Sequence, residues 1–79
     1  MVTVLRTGGL RVVIYLQDHE PAHVHVIGDG EAKINLIGRR DQPELVWAVG
    51  MTGGDLRRAV RIVAEAREQL LAKWEEIHG

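Results

Sequence analysis

The chain contains no cysteine among its 79 residues. This absence excludes a disulfide framework and any zinc site built from thiolates. A chain of this length lies near the lower limit at which one hydrophobic core suffices, and no covalent link is present to help. We therefore expect a single domain over residues 1–79 that also gains stability by association.

Long apolar runs and an excess of charge are also missing. No stretch approaches the roughly 20 apolar residues of a membrane span, and the first apolar run is broken by Arg6 and two glycines, unlike a signal peptide. Together with the lack of cysteine, this predicts a cytoplasmic protein that makes no contact with a membrane. A net charge of −1 gives no overall attraction to nucleic acid, so RNA binding would need a local basic patch.

Alternating apolar residues predict an antiparallel sheet of four to five strands over residues 2–49. Gly28-Asp29-Gly30 has the length and composition of a three-residue hairpin loop, which determines how its two strands pair. In this register one face is apolar and consists of Leu10, Val12, Ile14, Leu16, Val24, Val26, Ala32, Ile34 and Leu36. On the last strand, alternation places Leu45, Trp47 and Val49 on one side.

The C-terminal part of the chain predicts one long helix, from about residue 53 to about residue 77. Thr52 is a suitable N-cap, and Asp55 follows three residues later. Apolar residues recur at spacings of three, four and seven and form one stripe: Leu56, Val60, Val63, Leu70, Trp74 and Ile77. We expect this stripe to cover the apolar face of the sheet, which defines an α+β fold.

Three of the four histidines lie between Asp18 and Ile27, and two of them alternate with valine in His23-Val-His25. Side chains two residues apart on a strand point to the same side, about 6.5 to 7 Å from each other. The two histidines therefore share the face opposite the helix, which we expect to be half exposed and available for association. The predicted register places Lys33 directly across from His25.

Acid–base catalysis on RNA is one function that suits this pair. One imidazole would accept the 2′-hydroxyl proton, while a neighbouring cation would stabilise the charged phosphorane. The catalytic candidates are His23, His25, Lys33 and Arg11.

Metal binding and protein docking are the two alternatives. A divalent metal would be bound by His19, His23 and His25, with Asp18 or Glu20 as a further ligand or as a hydrogen-bond partner of a ligand. The sequence predicts no other cofactor. In a binding module, the histidine face would instead dock on another protein. The residues leave these alternatives, and the presence of any enzymatic activity, open.

Four segments carry a family resemblance: Thr3 to Gly9, Glu20-Pro-Ala-His-Val-His-Val26, Gly30-Glu-Ala-Lys33, and Leu56 to Trp74. Together they span nearly the whole chain, and Pro-x-His-Val-His-Val is the specific part. The chain resembles the small bacterial proteins known as domain of unknown function 4160. The polar residues shared with that family are Arg6, Glu20, His23, His25 and Lys33.

The resemblance implies a compact domain, often encoded beside a second small protein in a toxin–antitoxin arrangement, and no established chemistry. On this basis the expected function is that of the toxin-like member of a pair, acting on RNA through the His-x-His strand. The expected partners are the cognate small protein, a second copy of the chain, or RNA. The chain departs from the family pattern at Ala22, where a second proline is common, and at Val13 and Ile14, where aromatics are common.

Overall fold

The sheet is a five-stranded antiparallel meander in which each strand pairs with the next one along the chain. A computed structural model describes it together with the rest of residues 1–79. The strands are β1 (Val2–Thr7), β2 (Leu10–Ile14), β3 (His23–Ile27), β4 (Glu31–Asn35) and β5 (Glu44–Val49), and a short 3-10 turn at Arg39–Asp41 precedes the last. The predicted antiparallel sheet is confirmed, and it has five strands where four to five were expected.

Glycine-containing turns position the first four strands. Gly8 and Gly9 have φ values of 56° and 81° and form the two-residue turn between β1 and β2, where positive φ matches the twist of the strands. The loop Gly28–Gly30 joins β3 to β4 and pairs His25 with Lys33, as its length predicts. Because side chains alternate along a strand, this register separates the histidines from the apolar face.

The C-terminal segment forms two helices, so the prediction of a single long helix was wrong. They are α1 (Gly53–Glu65) and α2 (Arg67–His78), separated at Ala66, whose φ of −102° and ψ of 14° are not helical. The Thr52 hydroxyl accepts a hydrogen bond from the Asp55 N–H at 3.1 Å, which confirms the predicted N-cap. Neither helix has the length and apolar character that crossing a membrane requires.

The break at Ala66 divides a segment whose two halves both pack on the sheet. An unbroken helix over residues 53–78 would be roughly 39 Å long at 1.5 Å per residue, more than twice the length of a five-residue strand. With the break, both helices contribute to the core that they share with the sheet. That core consists of Leu10, Val12, Ile14, Val24, Val26, Ala32, Ile34, Leu36, Ala59, Val63, Leu70 and Trp74. Leu16 was predicted to belong to it but is exposed, because β2 ends at Ile14.

A β-bulge changes the faces of β5. Lys33 pairs with Trp47, whereas the next residue of β4, Ile34, pairs with Leu45, so Val46 is the extra residue. Leu45 therefore lies on the core side with Ile34, and Trp47 lies on the histidine side. The simple alternation predicted for this strand was wrong at Leu45.

Gly30 has no room for a side chain, because a Cβ there would lie 2.3 Å from Val49 O and 2.3 Å from Gly50 C. Backbone atoms of β5 cannot move aside without disturbing its pairing with β4. We expect Gly30→Ala to lower the free energy of unfolding by roughly 1–3 kcal/mol, measured by urea denaturation. Gly54→Ala is the matched control, because its Cβ would meet nothing within 4 Å and alanine favours the helix. Equal losses in both variants would contradict this explanation.

Candidate metal centre

His23 and His25 lie on β3, on the face opposite the core, but they are buried. Only 4% of His23 and 8% of His25 is exposed, whereas the sequence predicted a half-exposed face. Aromatic rings account for the difference. The rings of Tyr15 and Trp47 lie 4.6 and 5.8 Å from that of His25, and the Trp74 ring lies 5.2 Å from that of His23.

Trp74 connects α2 to the segment that leads into β3. Its Nε1–H donates to Glu20 Oε1 at 3.3 Å, and its ring contacts both His23 and, at 4.1 Å, the ring of His78. The position of His23 therefore depends on a helix that is about fifty residues away in sequence.

A tight turn after β2 brings Asp18 to the histidines. The Asp18 N–H donates to the Tyr15 carbonyl oxygen at 3.1 Å, and the Tyr15 N–H donates to Asp18 Oδ2 at 3.1 Å. These two bonds hold the carboxylate close to β3. As a result, Asp18 Oδ2 lies 3.2 Å from His23 Nε2.

Each histidine uses its Nδ1 to donate a hydrogen bond. His23 Nδ1 lies 2.8 Å from the carbonyl oxygen of Pro21, and His25 Nδ1 lies 2.9 Å from Glu31 Oε2. Carbonyl and carboxylate oxygens can only accept, so both Nδ1 atoms must carry hydrogen. In the neutral rings the lone pair is then on Nε2, which is the nitrogen available to a metal.

This proton assignment creates a mismatch at His23. In the neutral ring, Nε2 presents a lone pair to Asp18 Oδ2, and neither atom has a hydrogen to donate. The contact is favourable only if His23 takes up a second proton or if a cation lies between the two atoms. Two ligands of a tetrahedral zinc ion are roughly 3.4 Å apart, close to the 3.2 Å observed here.

Asp18, His23 and His25 form one group of ligand atoms. One atom from each residue lies within 4.8 Å of the other two. All three would coordinate a single ion at bond lengths near 2.0–2.2 Å if the side chains moved closer together. The group therefore has the composition and spacing of a three-ligand metal site.

Burial lowers the pKa of His25 below its ordinary value of 6.5, and the hydrogen bond to Glu31 opposes this shift only in part. The neutral ring is the form that binds metal. Burial and the adjacent Glu31 carboxylate raise the pKa of Tyr15 above 10.0, so its hydroxyl stays protonated and can donate to Glu31 Oε2 at 3.5 Å. Glu31 thus accepts hydrogen bonds from both rings.

His25 is expected to make the metal-free protein less stable as the pH falls below about 6.5, the ordinary pKa of histidine. Over the interval between that value and the lower folded pKa of His25, the unfolded chain binds more protons than the folded one, so protonation favours unfolding. Urea denaturation with chelator, at pH 7.5 and at successively lower pH, measures the loss. His25→Gln should show a shallower loss over this interval, and an equal or steeper one would contradict the assignment.

The structure brings most of the predicted site residues to one face of the sheet but leaves His19 outside the ligand group. Lys33 pairs with His25 across β3 and β4, and Arg11 lies one pair further along the same face on β2; both are partly exposed. His19 is exposed and lies outside the group of three ligand atoms, which contains Asp18 instead.

Glu31 and Trp74 were not predicted as parts of the site. Glu31 could have been predicted from the sequence, because the predicted register makes it the diagonal neighbour of His25 on the same face. Trp74 could not have been predicted in this way, because its contact with His23 depends on how α2 is placed relative to the sheet.

The fold and this site define a small α+β protein in which one antiparallel sheet supports a candidate metal centre. Residues 9–75, which include Asp18, His23, His25 and Glu31, match the family described as Domain of unknown function (DUF4160), and the chain belongs to that family. No curated protein and no solved structure matched the chain. The family resemblance is thus confirmed, while the toxin–antitoxin association stays a prediction.

Proposed function

We propose that this protein binds a divalent transition-metal ion through Asp18, His23 and His25. The arrangement of the two histidines carries the proposal: each donates from Nδ1 to an oxygen and keeps a lone pair on Nε2. Metal-ligating histidines have this arrangement, with one nitrogen on the metal and the other N–H on a carboxylate or carbonyl oxygen. Pro21 and Glu31 would supply these oxygens.

The donor set favours zinc and the transition metals that resemble it. Two imidazoles and one carboxylate suit Zn²⁺, Co²⁺ or Ni²⁺, whereas Mg²⁺ and Ca²⁺ prefer oxygen ligands. Three protein ligands leave the fourth position of a tetrahedral ion free for a small ligand such as water. Such a site differs from a closed structural zinc site, which uses four protein ligands.

RNA cleavage by free imidazoles has less support from the geometry. Both rings are buried, and none of the surface cavities is lined by His23 or His25. A phosphate would have to displace a surrounding aromatic ring before it reached either histidine. A toxin-like role remains a prediction, tested by growth and RNA integrity on induced expression of the wild type beside the double variant His23→Ala/His25→Ala.

Metal titration of the untagged protein tests the proposal. After chelator treatment, Zn²⁺ or Co²⁺ should bind with a stoichiometry of one ion per chain and raise the melting temperature. An ion at 100 times its Kd stabilises the folded state by about 2.7 kcal/mol, which corresponds to roughly 10–20 °C for a domain of this size. Mg²⁺ is the matched control and should have no effect. A folded protein that shows neither binding nor a shift with any transition metal would contradict the proposal.

A further inference from the structure

β5 is an edge strand that exposes apolar side chains on both of its faces. The strand order β1-β2-β3-β4-β5 leaves its outer edge unpaired, and all six of its residues are exposed. Four of them are large and apolar, with exposed fractions of 40% for Leu45, 46% for Val46, 39% for Trp47 and 68% for Val49. Its outer backbone N–H and C=O groups are hydrogen-bonding groups for which this chain supplies no partner strand.

The two edges of the sheet differ in their protection against pairing with another strand. β1 carries a charge at Arg6, has a bulge at Val4, and has Val4 and Leu5 partly buried against the core. Charges, bulges and short strands are the usual means by which an edge avoids pairing. β5 has a bulge at Val46 but no lysine, arginine or proline from Glu44 to Val49. Only β5 therefore offers an apolar strand for association.

We propose that β5 pairs with β5 of a second copy of this chain, antiparallel about a twofold axis. The partner of this edge must be an extended strand, because only a strand can form hydrogen bonds with a row of unpaired backbone groups. The charge pattern is compatible with a second copy, which is the strand always available to this edge. In an antiparallel self-pairing, the single charge, Glu44, lies towards the apolar Val49 end of its partner and away from the other Glu44.

Twofold pairing also limits the size of the assembly. Both copies use the same edge, so the contact closes into a dimer with one continuous ten-stranded sheet. The protected edge at β1 then forms both ends of that sheet, which prevents further addition of copies. The seam would lie beside the candidate metal centre, because the Trp47 ring is 5.8 Å from that of His25, but the pairing requires no metal.

Analytical ultracentrifugation of the metal-free protein tests the dimer. The wild type is expected to sediment with twice the chain mass of 8.8 kDa and to dissociate on dilution. Val46→Lys is expected to be monomeric, because Val46 lies near the middle of β5, where antiparallel self-pairing brings the lysines of the two copies close together. Leu45→Lys introduces the same charge at a second exposed position away from the partner's Glu44, so it keeps the test valid if Val46→Lys fails to fold. Leu16→Lys is the matched control, an exposed apolar residue outside β5, and should stay dimeric.

Three results would overturn the dimer. They are a wild type that is monomeric at its highest soluble concentration, a wild type that forms open polymers, and a folded Val46→Lys variant whose dimer is as stable as that of the wild type. Zn²⁺ titration of the same variants separates this proposal from the metal site. The lysines lie outside the ligand set, so monomeric variants should still bind one ion per chain.

Discussion

Replacing His23 with alanine is expected to reduce the affinity for Zn²⁺ or Co²⁺ by more than about 100-fold. Residues that only hydrogen-bond to a metal ligand already contribute 10–100-fold to affinity, so loss of one of three direct ligands should exceed that range. His23 Nε2 also lies 3.2 Å from Oδ2 of Asp18, another of the candidate ligands. Competition against a chelator of known affinity measures the change, with circular dichroism to establish that the variant is folded.

His19→Ala is the matched control for this result. This variant also removes a histidine side chain, four residues before His23, but His19 is exposed and lies outside the ligand group. Its affinity should equal that of the wild type, whereas Asp18→Asn should be weakened. If His19→Ala lost as much affinity as His23→Ala, the site would be the three-histidine set predicted from the sequence. If neither variant changed the affinity, His23 would not be a ligand.

The pairing of β3 with β4 was predictable because two local features agree on it. The Gly28–Gly30 loop admits one register, and any one-residue slip would turn the valines of β3 away from the core. The N-cap at Thr52 is equally local, since its bond to Asp55 spans three residues. Features of this kind follow from the residues themselves.

The features that sequence reasoning missed depend on distant contacts. Ala66 interrupts the helices although alanine is the strongest helix former, so local propensity gives no indication of the break. The histidines are buried because Tyr15, Trp47 and Trp74 converge on them from three different elements or connections. Alternation along β3 shows which face the histidines occupy, but it carries no information on what covers that face.

Sequence reasoning also could not tell whether Asp18 or its neighbour His19 lies beside the two histidines of β3. The two residues are adjacent in a turn, where no periodicity indicates which side chain points inward. Two hydrogen bonds between Asp18 and Tyr15 hold the Asp18 side chain inward, and both involve backbone groups. The sequence thus predicts the two histidines of the candidate site, while the position of Asp18 beside them depends on the folded turn.

Trp74→Ala is expected to cause the largest loss of stability among single substitutions at aromatic residues. Truncation of a buried tryptophan costs about 3–5 kcal/mol, whereas a domain of 79 residues has a total stability of roughly 4–12 kcal/mol. Trp74 is 2% exposed and lies in the shared core. Its removal would also leave Glu20 without its indole donor and open a space beside the ring of His23.

Trp47→Ala is the matched control, because the same truncation there removes a ring that is 39% exposed at an edge strand. Its cost should be less than half that of Trp74→Ala, since the cavity term needs a surrounding core. Urea denaturation followed by circular dichroism compares the two at one protein concentration, because association would itself add stability. Equal losses would mean that Trp74 is not a core anchor. A much larger loss at Trp74 would establish that its ring anchors α2 to the sheet beside His23.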